Sequence, residues 1–242
     1  MPIPPERDPF VELRLTGCLV ISLLIFTACI LPFMLVNLMG TALENLHLSP
    51  SAAMLVLLGI VFGSVINLPI AHYPLDHEVE VPVFEPIAGW KMLPRYRRMR
   101  QEMIVAVNVG GCVIPVLLGI RMMRFIADGG SDAVTVAVVG MAVNTAICYR
   151  MAQPVPNLGI RLPFFLPALV ALTLTWFGLP DAAMRPYHAP VAFVIGITGP
   201  LVGADLLHWK DFKKIAAGTV SIGGAGTWDG IVLSGLLAAL FA

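Results

Sequence analysis

Two acidic residues, Asp205 and Asp229, lie inside long apolar stretches of the sequence. A charge at the centre of a bilayer costs about 2.5–3.5 kcal/mol on insertion scales, so an intramembrane carboxylate is a candidate functional group. Two carboxylates a few ångströms apart in a low dielectric share one proton. One can then activate water while the other protonates a carbonyl oxygen. We therefore predict that Asp205 and Asp229 are catalytic residues.

Several residues could support or line such a site. His208 follows Asp205 by three residues, which predicts that both lie on the same face of a helix. Three asparagines at membrane depth, Asn67, Asn108 and Asn144, could line a pathway, but single interhelical hydrogen bonds, worth about 0.6 kcal/mol each, are the commoner explanation. The predicted supporting residues are Gly203, His208, Gly223, Gly224, Gly226, Thr227, Asn108 and Asn144.

The composition identifies the class of protein that must position these residues. The chain has 242 residues, of which 58% are apolar and 12% charged, and its mean hydropathy is +0.87. A soluble domain carries about 25% charged residues, so a soluble enzyme is excluded, and the apolar content also excludes disorder. Basic and acidic residues number 15 each, which leaves no net charge to attract nucleic acid. The four cysteines lie in apolar runs without CxxC spacing, and we interpret them as buried hydrophobes rather than disulfides or zinc ligands.

A membrane-spanning helix needs about 20 mostly apolar residues. Seven stretches qualify, at residues 15–39, 51–71, 102–120, 132–149, 161–179, 188–209 and 216–241. We predict an all-α, polytopic membrane helix bundle that forms a single domain over residues 1–242. Twelve of the fifteen Lys and Arg residues fall on the side of the N-terminus. The positive-inside rule then predicts a protein of the cell membrane with its N-terminus in the cytoplasm and its C-terminus outside. Aromatic residues at the predicted span ends agree, with Tyr73, Tyr149 and Trp209 inside and Trp176 and Tyr187 outside.

The last apolar stretch is rich in glycine just before Asp229. Four glycines fall within residues 218–226, and each costs a helix about 1 kcal/mol. A continuous helix would place Asp229 about 15 Å deeper than Asp205, too far for the two to cooperate. We predict a broken or re-entrant segment over residues 218–226, followed by a half-helix that Thr227 caps and that runs to Phe241. Asp229 would then lie in the first turn of this half-helix.

Residues 72–101 form the one sizeable polar segment, predicted to be cytoplasmic. Residues 78–83 alternate between acidic and apolar residues like a short edge strand, whose length Pro82 and Pro86 should limit. The basic end, residues 90–100, suits contact with anionic lipid better than with nucleic acid, because it adjoins a span. The cluster His72, Asp76, His77 and Glu78 matches no metal motif, and we interpret it as part of a solvated loop. No metal or cofactor is predicted.

Small residues recur at helical spacing in the pairs Gly59/Gly63, Gly199/Gly203 and Gly226/Gly230. Such stripes let helices approach closely in lipid. We favour packing within one bundle, and a homo-oligomer face is the alternative. The lipid bilayer is the partner that the sequence predicts most directly.

Four motifs carry a resemblance to a known family. They are residues 63–70 (GSVINLPI), 108–111 (NVGG), 202–207 (VGADLL) and 221–230 (SIGGAGTWDG). They resemble the prokaryotic membrane family catalogued as domain-of-unknown-function family 1614, which implies no activity.

A remoter resemblance is to the presenilin-like and signal-peptide-peptidase-like intramembrane aspartyl proteases. These enzymes carry one catalytic Asp in the sixth span and a second in a Gly-x-Gly-Asp motif that opens the seventh. The resemblance implies that Asp205 and Asp229 cleave a transmembrane-helix substrate. Here Gly224 and Gly226 are followed by Thr227 and Trp228 before Asp229, which departs from that motif. Two other classes stay open. One is an ion- or proton-coupled solute transporter that uses Asp205, His208 and Asp229, and the other is a non-catalytic membrane scaffold.

Overall fold

The computed structural model describes residues 9–87, 91–155, 159–163, 165–211, 218–224 and 229–242. These residues are mostly helical. The α-helices are α1 (Pro9–Glu44), α2 (Pro50–Gly63), α3 (Ile114–Asp128), α4 (Ser131–Met151), α5 (Leu166–Gly178), α6 (Arg185–Thr198) and α7 (Gly230–Phe241). Two π-helical segments extend them, with Val109–Val113 before α3 and Gly199–Leu206 after α6. Short 3₁₀ turns lie at Ala182–Met184 and Trp209–Asp211.

Among the described residues, four helical stretches are long and apolar enough to cross a membrane, judged by length and composition. They are Val20–Glu44, Val109–Asp128, Ser131–Met151 and Ala182–Leu206. The other three apolar helices, α2, α5 and α7, have 12 to 14 residues. At 1.5 Å per residue they measure about 18–21 Å, which is less than the 30 Å of a typical hydrocarbon core. The chain therefore has the apolar helices of a membrane protein, but the seven predicted spans are not confirmed.

The all-α prediction is confirmed only in part: the described residues are mostly helical, but they also form two sheets. The strands are β1 (Asn67–Ile87), β2 (Lys91–Asn108), β3 (Gln153–Val155), β4 (Gly159–Arg161) and β5 (Gly218–Ile222). β1 and β2 form a long antiparallel hairpin, and β5 pairs in parallel with residues 103–107 of β2, while β3 and β4 pair separately. The predicted strand at residues 78–83 is confirmed, but Pro82 and Pro86 do not end it. β1 is the edge of the β1–β2–β5 sheet, where a missing N–H is tolerated.

The hairpin also changes the bounds of two predicted spans. The apolar stretch 51–71 is helical only to Gly63, since β1 begins at Asn67, and the stretch 102–120 is a strand up to Asn108. A short apolar run has the same hydropathy in a strand as in a helix, so composition cannot separate them. The glycine-rich break before Asp229 is confirmed. β5 ends at Ile222, a turn follows at residues 223–224, and α7 begins at Gly230.

α6 forms the centre of the helical part. It packs against α3, α4, α5 and α7, and every residue from His188 to Ile197 is buried. Pro190 and Pro200 have no backbone N–H, so the carbonyl groups four residues before them lack their usual helical donor. Side chains from elsewhere in the chain bind these two carbonyl groups instead. His47 Nε2 bonds the Pro186 carbonyl at 2.8 Å, and Ser234 Oγ donates to the Gly196 carbonyl at 2.7 Å.

The aromatic residues predicted at the span ends gather into two groups. Tyr73 and Trp209 form one contact, with their ring centroids 6.1 Å apart and the indole N–H donating to the Tyr73 hydroxyl at 3.0 Å. Tyr149 lies against the ring of His208 at the same end of the bundle. At the opposite ends of their helices, Trp176 packs on His188 and Tyr187 packs on Phe125.

Two of the three small-residue pairs are used for packing within the chain, as we predicted. A Cβ at Gly63 would lie 3.0 Å from the backbone nitrogen of Gly110, and one at Gly199 would lie 2.9 Å from the sulfur of Cys148. Gly230 faces open space, and Gly226 lies outside the described residues.

Candidate functional site

The two candidate carboxylates lie at interruptions of successive apolar helices. Asp205 belongs to the π-helical segment Gly199–Leu206, which ends the helical stretch that begins at Ala182. Asp229 is the N-cap of α7, and its side chain accepts a hydrogen bond from the Ile231 N–H at 2.8 Å. Both residues are half-buried. The predicted half-helix is therefore present, and its cap among the described residues is Asp229 rather than Thr227, which lies outside them.

The fold brings the two carboxylates near enough for their charges to interact. The Asp205 carboxylate accepts a hydrogen bond from the backbone N–H of Gly223, and the charges of Asp205 and Asp229 repel each other. Gly223 sits in the turn after β5 with a φ of +68°, a conformation that glycine adopts without steric cost. The broken segment thus supplies a backbone donor to one carboxylate, and it leads into the helix that the other caps.

A glycine pair fixes the position of this turn. A Cβ on Gly111 would overlap the carbonyl oxygen of Gly223, and a Cβ on Gly223 would lie 2.6 Å from the carbonyl carbon of Gly111. The backbones of the two residues are therefore in direct contact. Cys112, next in sequence and buried, lies near enough to Asp205 and Asp229 to interact with both charges.

Asn108 connects this turn to the base of the hairpin. Its side chain is fully buried and donates to the Ser64 carbonyl at 2.7 Å and to Asn67 Oδ1 at 3.1 Å. Its own Oδ1 accepts from the Gly111 N–H at 2.7 Å, which caps the π-helical turn. Ser221 on β5 donates to Asn67 Oδ1 at 2.6 Å. We predicted Asn108 as a site residue, and its contacts make it a positioning residue for Gly111 rather than a pathway lining.

Asn144 belongs to a different contact. It is fully buried, and its amide donates to the Ile195 carbonyl at 2.8 Å and to the Pro167 carbonyl at 3.2 Å. Cys148 donates to its Oδ1. Asn144 thus joins α4 to α5 and α6 by hydrogen bonds. This is the interhelical role that we gave as the alternative to lining a pathway.

The α-helical face that we predicted for Asp205 and His208 is not formed. The π-helical segment ends at Leu206, so the i, i+3 geometry of an α-helix does not extend to His208. Its Nδ1 bonds the Gly203 carbonyl at 3.1 Å, and its ring lies 4.8 Å from that of Tyr149. Gly203 itself packs against the backbone of α4, where a Cβ would lie 3.0 Å from the Tyr149 nitrogen.

Of the remaining predicted site residues, one lies in the turn after β5 and two lie outside the described residues. Gly224 is exposed beside Ser221, and Gly226 and Thr227 lie outside the described residues. Within the described ranges, no three His, Cys, Asp or Glu residues are grouped so that they could hold a metal ion. Asn67 is one of the three asparagines that the sequence places at membrane depth, whereas sequence reasoning missed Cys112 as a neighbour of the site. The NVGG motif, which Cys112 follows directly, was the available signal.

The structure thus has the apolar helices of a polytopic membrane protein, with two interacting carboxylates at helix interruptions. The family comparison agrees with the motifs. The model of the family described as "Protein of unknown function (DUF1614)" matches residues 61–241, and the chain belongs to this family. No curated protein matches the chain significantly. No solved structure does so either.

Proposed function

We propose that the chain is an intramembrane aspartyl peptidase whose catalytic residues are Asp205 and Asp229. The observation that carries the proposal is their convergence. The two carboxylates come from separate helices, interact electrostatically, and are each held by a backbone N–H, of Gly223 and of Ile231. Two like charges in a site of low dielectric favour a state in which one proton is shared between them.

This pair can hydrolyse a peptide bond with water as the only co-reactant. The ionised carboxylate takes a proton from water as the water oxygen attacks the scissile carbonyl carbon, and the protonated carboxyl gives its proton to the carbonyl oxygen. When the tetrahedral gem-diol collapses, the carbon–nitrogen bond breaks. The nitrogen receives a proton from one carboxyl, and the other takes a proton from the gem-diol. Both aspartates return to their starting states.

The order of the elements supports the same mechanism. Among the described α-helices, Asp205 lies in the π-helical extension of the sixth, α6, Asp229 caps the seventh, α7, and β5 lies between them in the sequence. The presenilin-like and signal-peptide-peptidase-like enzymes, which the sequence resembles remotely, have this order of catalytic residues.

The strand next to the site also suits a peptide substrate. In the order β1–β2–β5, β5 pairs with β2 on one side, and no other described strand pairs with its second edge. An extended segment can add to such an edge by main-chain hydrogen bonds. Gly223, which directly follows this strand, donates its N–H to Asp205, so the end of the strand lies near this carboxylate. A transmembrane segment that unwinds at the site is the proposed substrate.

The proposal includes the location of the site. If the seven predicted spans are formed, twelve of the fifteen Lys and Arg residues fall on the side of the hairpin, and this side and the N-terminus would lie in the cytoplasm, with the C-terminus outside the cell membrane. The two aspartates would then act near the cytoplasmic surface, where water reaches them.

N-terminal labelling of membrane proteins tests the proposal. Cells would express the wild type, Asp205→Asn, Asp229→Asn or Asp132→Asn, the last a matched loss of an exposed carboxylate at the start of α4. We expect new N-termini within apolar segments of other proteins in the wild type and Asp132→Asn, and their loss in both site variants. Identical N-termini in all four strains would contradict the proposal.

A proton- or cation-coupled transporter is the second candidate. It is favoured by one observation, that intramembrane carboxylates lie where two successive helices are interrupted, which is how carriers build ion sites. It predicts proton-driven solute uptake that Asp205→Asn abolishes, with no change in the N-termini of membrane proteins. A non-catalytic scaffold predicts that neither measurement changes.

A further inference from the structure

An apolar groove lies beside the helix that Asp229 caps. Its volume is about 130 Å³, and the helices α1, α2 and α7 form its sides. We call it the α7 groove. It is lined by Pro32, Leu35, Val36 and Met39 of α1, Leu57 and Val61 of α2, and Leu233 of α7. All of these side chains are apolar, so the groove offers no side-chain hydrogen-bond partner to a polar ligand.

The burial of the lining residues shows where the groove opens. Leu233 is only 8% exposed and forms the floor, whereas Val36 and Val61 are 43% and 41% exposed and form the rim. The groove therefore opens away from the helix bundle, on the side where the hydrocarbon of a bilayer would lie. A side chain that enters from the bilayer meets the two valines first and Leu233 last.

The floor of the groove lies one helical turn from a proposed catalytic residue. The Leu233 N–H donates to the backbone carbonyl of Asp229 at 3.0 Å. Four residues of an α-helix rise about 6 Å. An extended peptide advances about 3.3 Å per residue, so two of its residues span the same distance. A substrate whose scissile bond lies at Asp229 can therefore place in the groove a side chain two residues from that bond.

The size of the groove limits what can occupy it. Pockets for whole small-molecule ligands measure about 300–1,000 Å³, which is larger than this groove. An apolar cavity of about 150 Å³ binds benzene, which has the size of a phenylalanine ring. The α7 groove is close to that volume. It has room for one large apolar side chain, whereas a helix of a second copy of the chain, about 10 Å across, is too wide to enter.

We propose that the α7 groove is a substrate subsite that takes one large apolar side chain, such as leucine or phenylalanine, about two residues from the scissile bond. The inference rests on the proposed peptidase function and adds a preference for certain cleavage sites. In a bilayer this preference comes from packing, since the hydrocarbon is as apolar as the groove. Apolar pockets distinguish side chains that differ by one methylene group by about tenfold or more. We therefore expect leucine to be preferred to alanine at this substrate position by at least about tenfold.

Photocrosslinking tests the subsite without requiring cleavage. Full-length protein with Asp205→Asn is reconstituted in nanodiscs with synthetic transmembrane peptides of leucine and alanine. Each peptide carries one diazirine analogue of leucine, at successive positions along the set. We expect one peptide position to label the groove residues Leu57, Val61 or Leu233. Val61→Phe in the same background places a ring in the groove and should lower this labelling by at least about tenfold.

Val138→Phe is the matched control. Val138, on α4, is 49% exposed and does not line the groove, so the same substitution adds equal bulk to another surface of the bundle. We expect this variant to be labelled like its Asp205→Asn parent. Equal labelling in the two variants, or labelling spread over the exposed faces of several helices, would overturn the proposal. A photoreactive phosphatidylcholine that labels the groove and that the peptides do not displace would overturn it too, by assigning the groove to a lipid acyl chain.

N-terminal labelling of membrane proteins separates this inference from the peptidase proposal. With both aspartates intact, we expect large apolar residues two positions from the cleaved bond in the wild type and Val138→Phe, and small residues there in Val61→Phe. Cleavage with the same preference in all three proteins would refute the subsite and leave the peptidase proposal intact. Labelling of the groove by the peptides without any new N-termini would refute the peptidase proposal, and the groove would then bind apolar side chains without cleaving their chain.

Discussion

Gly111→Ala perturbs the contact that positions the candidate site. The new methyl carbon would overlap the carbonyl oxygen of Gly223 and lie 2.9 Å from its carbonyl carbon and 3.2 Å from its Cα. Carbon contacts are most favourable at about 3.5–4.0 Å. All three neighbours are backbone atoms, which cannot rotate away, so the turn after β5 has to move as a unit. That turn carries the N–H that binds Asp205.

The expected cost follows from this geometry. Overpacking a tightly packed site destabilises a protein by about 1–3 kcal/mol, which is about 5- to 150-fold in the unfolding equilibrium. Gly230→Ala is the matched control, because Gly230 is one residue from Asp229 and a Cβ there meets nothing within 4 Å. Replacing an unconstrained helical glycine by alanine stabilises by up to about 1 kcal/mol.

Both variants would be unfolded reversibly in detergent micelles with increasing denaturant, and their cleavage of membrane substrates would be measured by N-terminal labelling. We expect Gly111→Ala to lose stability and cleavage together, and Gly230→Ala to keep both. The reasoning would be refuted if Gly111→Ala were as stable as the wild type. If Gly111→Ala were destabilised but cleaved at the wild-type rate, the turn would not be needed to position the catalytic residues.

Two other substitutions test hydrogen bonds of buried side chains, and two substitutions of Asp229 test the helix cap. Asn108→Ala removes three hydrogen bonds of a fully buried side chain, and we expect the unfolding free energy to fall by about 3 kcal/mol. Ser234→Ala removes the donor to the Gly196 carbonyl and should cost about 1–2 kcal/mol, whereas Ser234→Ala with unchanged stability would contradict this contact. Asp229→Asn keeps an N-cap acceptor and should retain wild-type stability, while Asp229→Ala should lose about 1 kcal/mol in the same denaturant titration.

Local signals in the sequence predicted the broken helix before Asp229 but not the residue that caps α7. The density of glycine over residues 218–226 disfavours a helix wherever it occurs, so the break follows from propensity alone. Thr227 and Asp229 are both good N-cap residues, and spacing does not choose between them. The π-helical segment that carries Asp205 also removed the helical relationship on which the prediction for His208 relied.

The sheet could not be predicted in full, because it is formed by contacts between residues far apart in the sequence. The alternation at residues 78–83 predicted a strand, but residues 67–71 are apolar enough to resemble the end of a helix. The pairing of β2 with β5 joins residues more than 100 positions apart, and so does the contact between Gly111 and Gly223. The two aspartates could be singled out because they lie within apolar stretches of the sequence. The turn that brings them together could be found only in the three-dimensional structure.

A double-mutant comparison of the two carboxylates tests the central claim most directly. The rate at which new N-termini accumulate would be measured for the wild type, Asp205→Asn, Asp229→Asn and the variant with both changes. Catalytic groups that act as a unit are strongly non-additive. The account predicts that each single change lowers the rate by at least about 100-fold and that the double change lowers it no further. Losses that multiply in the double variant, or a single variant that cleaves at the wild-type rate, would contradict it.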